Sequence, residues 1–353
     1  MEHVTDDAKS GAELYRLVND PRPADNIYGE QPYGSADGRY VTIRYYDTGA
    51  HDGSLAVLDL ETGEETVILD HQPRFPAFHA WGEYLYYQEV REGQVHLERA
   101  SFAEGEPEHI HKLPELSCQY SYGTVSPDHR HYVVTTREEE PPRIIHVDLE
   151  TGAWRTLAER TDRLFKHEQF ALDDSNRVLI QANVLPNVEA VHLGVIDVER
   201  DQPTLEWLAA DQPHTPRPTG HEAWVGETDG VLFSTGMDDA VPTNLWTAGV
   251  GDKTAEPVVE TDRHYGHVSV SRCGKYWIGD VPSIDGVPID VGSVTNGTHR
   301  QLVTSETVHD SEQTSHAHPY LTADNRWLIF TSTRAGHPQV YGAKLPDDFL
   351  TGL

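Results

Sequence analysis

One short segment of this chain has the residue types and spacing to hold a cation. It reads Gln313-Thr314-Ser315-His316-Ala317-His318-Pro319. His-x-His places two imidazoles on one face of an extended chain, because side chains alternate along a strand. Gln313, three residues ahead of His316, can bring an amide oxygen to the same point, and His267 is a further candidate ligand. Three neutral imidazoles and one amide form a mixed N/O set with open coordination positions. That set suits a borderline or hard divalent ion, Mn²⁺ first, with Zn²⁺, Ni²⁺ and Fe²⁺ open. The only cysteines, Cys118 and Cys273, are too few for a thiolate site or a disulfide framework and are expected to be buried or partly buried free thiols.

Residues this far apart can meet only if the chain repeats. A turn signal recurs near Gly38, Gly82, His129, Ser175, Gly230, Gly274 and Asn325, with short strand-like runs between and no long amphipathic helix pattern. The clearest copy runs from Ala36-Asp37-Gly38 through Tyr40-Val41-Thr42-Ile43 to Leu55-Ala56-Val57-Leu58. Seven all-β copies of about 40–50 residues are the signature of a seven-bladed β-propeller. The last copy, about 316 to 345, has room for three strands. The lone run Ala12-Glu13-Leu14-Tyr15-Arg16-Leu17 is expected to complete it as an outer strand, leaving no open edge. No linker interrupts the pattern, so one domain over 1–353 is expected, with blades spanning about 10–346.

Repeat phase then locates the chemistry. The innermost strand of each propeller blade faces the central channel, so residues at one phase converge on the axis. Gln31, His167, His221, His267, and the pair His316 and His318 all stand seven to nine residues before their turns. Tyr33 and His79 lie slightly nearer theirs, and Gln119 and Tyr120 approach the third. Any one of these histidines is most simply a polar plug in a wet channel. The shared register points to a metal or catalytic site built from the set.

Composition narrows the partners. There are 27 Lys+Arg against 58 Asp+Glu, a net charge of −31. A field of that sign repels phosphate backbones, so no nucleic-acid partner is expected. No apolar run approaches the ~20 residues of a membrane span, so no membrane partner is expected. The acidic start Met1-Glu2-His3-Val4-Thr5-Asp6-Asp7 does not read as a signal peptide. A cytoplasmic protein is expected, and the acidic excess suits a high-salt cytoplasm. Oligomeric state is not legible.

These residues resemble the oligogalacturonate lyases, propeller enzymes that cleave short pectin fragments. The similarity runs through most of the chain. It includes Gly11-Ala12-Glu13-Leu14-Tyr15-Arg16-Leu17, Asn26-Ile27-Tyr28-Gly29-Glu30-Gln31 and Gly220-His221-Glu222-Ala223-Trp224. Its most specific piece is Gln313-x-x-His316-x-His318-Pro319. The resemblance implies that His267, Gln313, His316 and His318 bind a manganese ion and that His221 lies in the catalytic centre. It also implies a catalytic arginine in the fourth blade. The corresponding region here reads Asn187-Val188-Glu189-Ala190-Val191-His192-Leu193-Gly194, with no arginine.

A uronate lyase removes the C5 proton beside the sugar carboxylate and expels the C4 oxygen. That C–H is a poor acid unless charge on the neighbouring carboxylate is withdrawn. On this reading the chain is a metal-dependent lyase acting by β-elimination on a small acidic oligosaccharide. His221 is the first candidate for the acid–base group and His192 the second. His167 and Tyr33 would bind the substrate or protonate the leaving oxygen, and Trp224 beside His221 would contact the sugar. The other tryptophans, Trp154 among them, read as packing between blades. The alternative is a non-catalytic propeller that binds a metal or ligand, since fold does not imply function.

A polyanionic substrate and a chain at −31 repel one another at low salt. At ~1 M salt the Debye length is about 3 Å and that repulsion is largely screened. Initial rates on an oligouronate are therefore expected to rise with salt. A steady fall from low to high salt would count against this reading.

Overall fold

Strand after strand in this chain alternates or runs apolar over five to eight residues, and each run ends at a turn. The computed structural model describes residues 1–47, 53–71, 75–114, 121–136, 141–186, 190–209, 218–236, 242–308 and 313–353. Among them the chain forms seven antiparallel sheets around a ring, the seven-bladed propeller expected from the repeat. In blade 1 the strands run outward in chain order as Ala24–Asp25, Tyr40–Tyr46, Gly53–Asp59 and Glu65–Leu69. Blades 2 to 6 repeat this order within 75–112, 124–159, 163–207, 218–257 and 268–304. One 3₁₀ turn, Gln313–Ser315, is the only helical element among the described residues. No described helix is long and apolar enough to cross a membrane.

The recurring turn lies between the first and second strands of each blade. Several copies need the left-handed backbone that Gly and Asn tolerate best. Gly38 (φ +77°), Gly274 (φ +71°) and Asn325 (φ +59°) adopt it, and His129 does so at φ +61°.

Seven apolar clusters hold the ring, one at each junction of neighbouring blades among the described residues. They arise from strand alternation. In blade 3, Tyr132 and Val134 pack toward blade 2, while Val133 between them packs toward blade 4. The β-branched and aromatic residues of the middle strands are therefore buried on both faces, which is why these strands read as nearly continuous apolar runs.

Closure uses the N-terminus. Glu13–Arg16 pairs with Gln339–Lys344 and supplies the fourth strand of blade 7. The sequence did not foretell a fifth strand, Glu2–Asp6, which pairs outside Glu13–Arg16 and is exposed along its length. Its residues bury little apolar surface, so no hydrophobic pattern announced it. Two further corrections concern single side chains. Cys273 is exposed rather than buried, because it sits in the turn of blade 6, and Cys118 lies outside the described residues. Trp154, expected at a blade junction, is 48% exposed on the outermost strand of blade 3.

Leu14 carries the apolar part of the closure, 4% exposed in the cluster between blades 6 and 7. Leu14→Ala is expected to lower unfolding free energy by about 2–5 kcal/mol. Val4→Ala, on the exposed fifth strand, should change it by less than ~0.5 kcal/mol. Denaturant midpoints of the two variants check the difference, and equal shifts would mean that the fifth strand closes the ring.

Candidate active site and metal centre

His267 directly precedes the first strand of blade 6, Val268–Val270. His316 and His318 lie between the 3₁₀ turn and the first strand of blade 7, Tyr320–Leu321. The fold brings these three together: each offers a ring nitrogen, and those atoms lie within 4.8 Å of one another. All three rings are buried.

Local structure fixes each ring. Asp280 takes the backbone N–H of His267 on one oxygen (2.8 Å) and its Nδ1 on the other (2.9 Å). Donation from Nδ1–H leaves the Nε2 lone pair for a ligand, a carboxylate–imidazole arrangement common behind metal ions. Gly266 makes room for it, since a Cβ there would come within 2.8 Å of the same carboxylate. On the other blade, Asn26 Nδ2 donates to the His318 carbonyl at 2.7 Å. Gly29 runs so close to that carbonyl that a Cβ would lie 2.6 Å from its carbon. The Asn26-to-Gln31 segment thus serves as a brace for His318.

The donor set fits a divalent ion. His318 is 1% exposed, and neither of its ring nitrogens has a hydrogen-bond partner among the described residues. Burial, followed by the neighbouring His267 and His316, pushes its pKa well below the ordinary imidazole value, so the ring is neutral and carries a lone pair. For His267 burial disfavours the charged form, but the Asp280 carboxylate outweighs it and the pKa is raised.

A cavity of about 570 Å³ opens beside this cluster, lined among others by Gln313, His318, His221, His167, Lys166 and Arg44. Gln313, exposed on the 3₁₀ turn, also lines it. His221 enters from a bulge between Pro218 and Glu222 in the first strand of blade 5. Gly220 permits the bulge at φ +98°. The His221 ring stands 4.8 Å from that of His267. Its Nδ1 meets Glu30 Oε1 at 2.5 Å, which leaves Nε2 as its acceptor. Lys166 and His167 come from a second bulge, in the first strand of blade 4, with His167 at φ +57°.

Two buried carboxylates lie here that sequence reasoning missed. Glu30 and Glu222 are 2% and 0% exposed. Burial raises Glu30, but the charge and hydrogen bond of His221 outweigh it, so Glu30 is held ionised. Burial and then the Glu30 charge push Glu222 up to about 8. Its Oε1 lies 3.5 Å from His167 Nδ1, whose own pKa is driven down to about 3 by burial and then Lys166. The signal for both acids was adjacency, in Gly29-Glu30 and His221-Glu222. Arg44 and Lys166 carried none beyond the phase of Lys166 beside His167.

Other expected site residues fall elsewhere. His192, the second acid–base candidate, lies on the third strand of blade 4, with its ring 5.8 Å from Trp207 near the rim. It does not line the cavity, because the third strand of a blade is remote from the channel. Trp224 is buried in the junction of blades 4 and 5, and its Nε1 donates to the Gln169 carbonyl at 3.0 Å. It packs blades and does not face the cavity. Tyr33 is likewise packed, in the junction of blades 1 and 2, and is absent from the cavity wall. Its hydroxyl lies 3.5 Å from the Pro76 carbonyl. Gln119, Tyr120 and the 187–189 stretch lie outside the described residues.

No family model matches the chain. A curated oligogalacturonate lyase of Dickeya dadantii is 24% identical over 224 residues, covering 58% of this chain and 56% of that protein. The chain thus spans about half the length of the curated relatives it matches. Among solved structures, an oligogalacturonate lyase in complex with manganese superposes with a TM-score of 0.78 at 19% identity. That match covers 99% of this chain and 98% of the other. An oligogalacturonate lyase from Vibrio parahaemolyticus gives 0.79 at 16% identity, with the same coverage. In sequence over part of its length, and in fold over nearly all of it, the chain is similar to the oligogalacturonate lyases.

Proposed function

We propose that this protein is a metal-dependent lyase that cleaves short uronate oligosaccharides by β-elimination. The observation that carries the reading is the convergence of three buried imidazoles, His318 of them lining the cavity, beside the carboxylate-held His221. His267, Gln313, His316 and His318 would hold the ion, Mn²⁺ by analogy with the manganese complex of the similar lyase. Bound there, the ion would supply charge withdrawal from the carboxylate next to the C5 proton.

The chain's own residues do the rest. His221 presents Nε2 to the cavity as proton acceptor, while Glu30 fixes its tautomer and stabilises the imidazolium that forms. Arg44 and Lys166 bring positive charge to the cavity wall, where a second sugar carboxylate can be bound. Arg44 is held for this by Asp25, at 3.0 and 2.7 Å. His167 lines the cavity and can serve the departing oxygen, with the protonated Glu222 behind it, 3.5 Å from its Nδ1. Lys166 brings a cation to this wall from blade 4, the blade in which the resemblance implies an arginine.

The test combines metal analysis with the ultraviolet absorbance of the unsaturated uronate product, on a panel of oligouronates. Wild type should hold one divalent ion at this centre and form product. His318→Ala should lose both. His221→Ala should keep the ion and slow the reaction on the order of 10²–10⁴-fold. Glu30→Gln should lower kcat with little change in KM, since the imidazolium that forms loses its carboxylate. A bound ion with no product from any oligouronate would sink the lyase reading and favour the non-catalytic propeller.

Glu222 gives an independent check of the site's electrostatics. Its pKa is raised from 4.5 to about 8 by burial. The folded protein therefore keeps a proton that the unfolded chain releases, and stability present below pH ~4.5 is lost as pH rises through about 8. In chelator-stripped protein, Glu222→Gln should become progressively more stable than wild type over that window. Parallel stability curves would show that Glu222 is ionised throughout.

A further inference from the structure

Away from the channel, on the outer half of blade 2, a second group of ligand-type side chains meets. His96 and Glu98 are alternate residues of the third strand, Gln94–Ser101, and so share one face of the sheet. His109, on the outermost strand Pro107–Lys112, is the cross-strand partner of Glu98. Leu97 between them points into the junction with blade 3, which leaves the trio on the face toward blade 1. Their three ligand atoms lie within 4.8 Å of one another, and the two imidazole rings are 5.1 Å apart. None of the three lines the central cavity.

We propose that His96, Glu98 and His109 form a second divalent-cation site, selective for zinc-like borderline ions, which clips the outermost strand of blade 2 to its neighbour. Two imidazoles and one carboxylate, with a coordination position left for water, are a recurrent zinc set. Three observations support it. Glu98 is 1% exposed, a buried carboxylate facing the rim of a blade. His96 Nδ1 is buried without a hydrogen-bond partner among the described residues. The competing contacts are easily given up. His109 Nδ1 bonds Glu98 at 2.9 Å and would turn from that oxygen to the ion. Arg91 meets Glu98 at 3.1 Å but is 53% exposed and can swing into water.

The site differs from the central one in its chemistry and its consequence. The central set adds an amide to three imidazoles and opens on a cavity. The rim set carries a carboxylate and lies across two strands of a sheet edge, where a shared ion cross-links backbone that is otherwise free to fray.

The experiment uses chelator-stripped, full-length protein titrated with Zn²⁺ alone by equilibrium dialysis. In the His318→Ala background, which removes the central site, one equivalent should remain. Adding His109→Ala should abolish it or weaken it by at least ~10-fold. His109 is 46% exposed, so that change leaves the fold intact, and the melting temperature of the metal-free variant checks this. Zn²⁺ should also slow amide hydrogen exchange across 107–112 in His318→Ala but not in the double variant. No equivalent left in His318→Ala would overturn the proposal, as would one that His109→Ala leaves unchanged or exchange at 107–112 indifferent to zinc.

Discussion

His318 holds both ring nitrogens in a space almost closed to water, and neither meets a hydrogen-bond partner among the described residues. A buried polar group left unpaired costs about 1–3 kcal/mol. Folded proteins rarely leave one in place without a use. The surroundings do not relieve it; they hold the ring where it is. Asn26 ties down its carbonyl, Gly29 admits the neighbouring backbone, and Tyr28 packs against the ring at 4.7 Å. His267 is held as firmly by Asp280. Side chains locked by packing and by outer hydrogen bonds are what a ligand set requires, because the cost of ordering them is met before any ion arrives.

Charge is arranged on two scales. At long range the chain is strongly negative and would disfavour an acidic ligand. At short range Arg44 and Lys166 line the cavity, where the lower dielectric strengthens each interaction. Salt screens the first effect far more than the second. The buried acids follow the same logic. Glu30 stays ionised because His221 touches it, and Glu222, lacking such a partner, is pushed toward its neutral form partly by the Glu30 charge. Two carboxylates of one type thus hold different protonation states, a division found where acid and base chemistry share a site.

Sequence carried the fold because the blades repeat. Turn signals at Gly38, Gly274 and Asn325 fall between the first and second strands of their blades, and the apolar runs after them become the buried middle strands. Phase placed His221, His267, His316 and His318 near one another for the same reason. Phase failed where a side chain's direction is decided by contacts beyond its own strand. Tyr33 and Trp224 sit close to the right positions but turn into blade junctions. His192 falls in the region that the resemblance matches to the fourth-blade arginine, and it lies too far out along that blade. Arg44 comes from a second strand, a position that phase arguments about first strands never sample, and reaches the cavity through its length.

The segment that closes the ring also completes the site. From Leu17 to Asn26 the chain is fastened to blade 7. Leu17 N–H donates to Val340, Ala24 N–H to Pro338, and Gln339 Nε2 to the Arg22 carbonyl. Thr331 Oγ1 donates to Asn26 Oδ1 at 2.7 Å, while Asn26 Nδ2 reaches His318. Four residues on, Glu30 meets His221, 191 positions away in blade 5. In a ring of blades most contacts join sequence neighbours or adjacent blades, whereas this one joins the Asn26-to-Gln31 segment to blade 5, which is not adjacent to blade 1. The stretch that seals blade 7 therefore continues into the one that holds His318 and sets the state of His221. A loss of closure would move the imidazole cluster and its acid–base partner together, so the stability of the ring and the geometry of the site rest on the same stretch, residues 13–30.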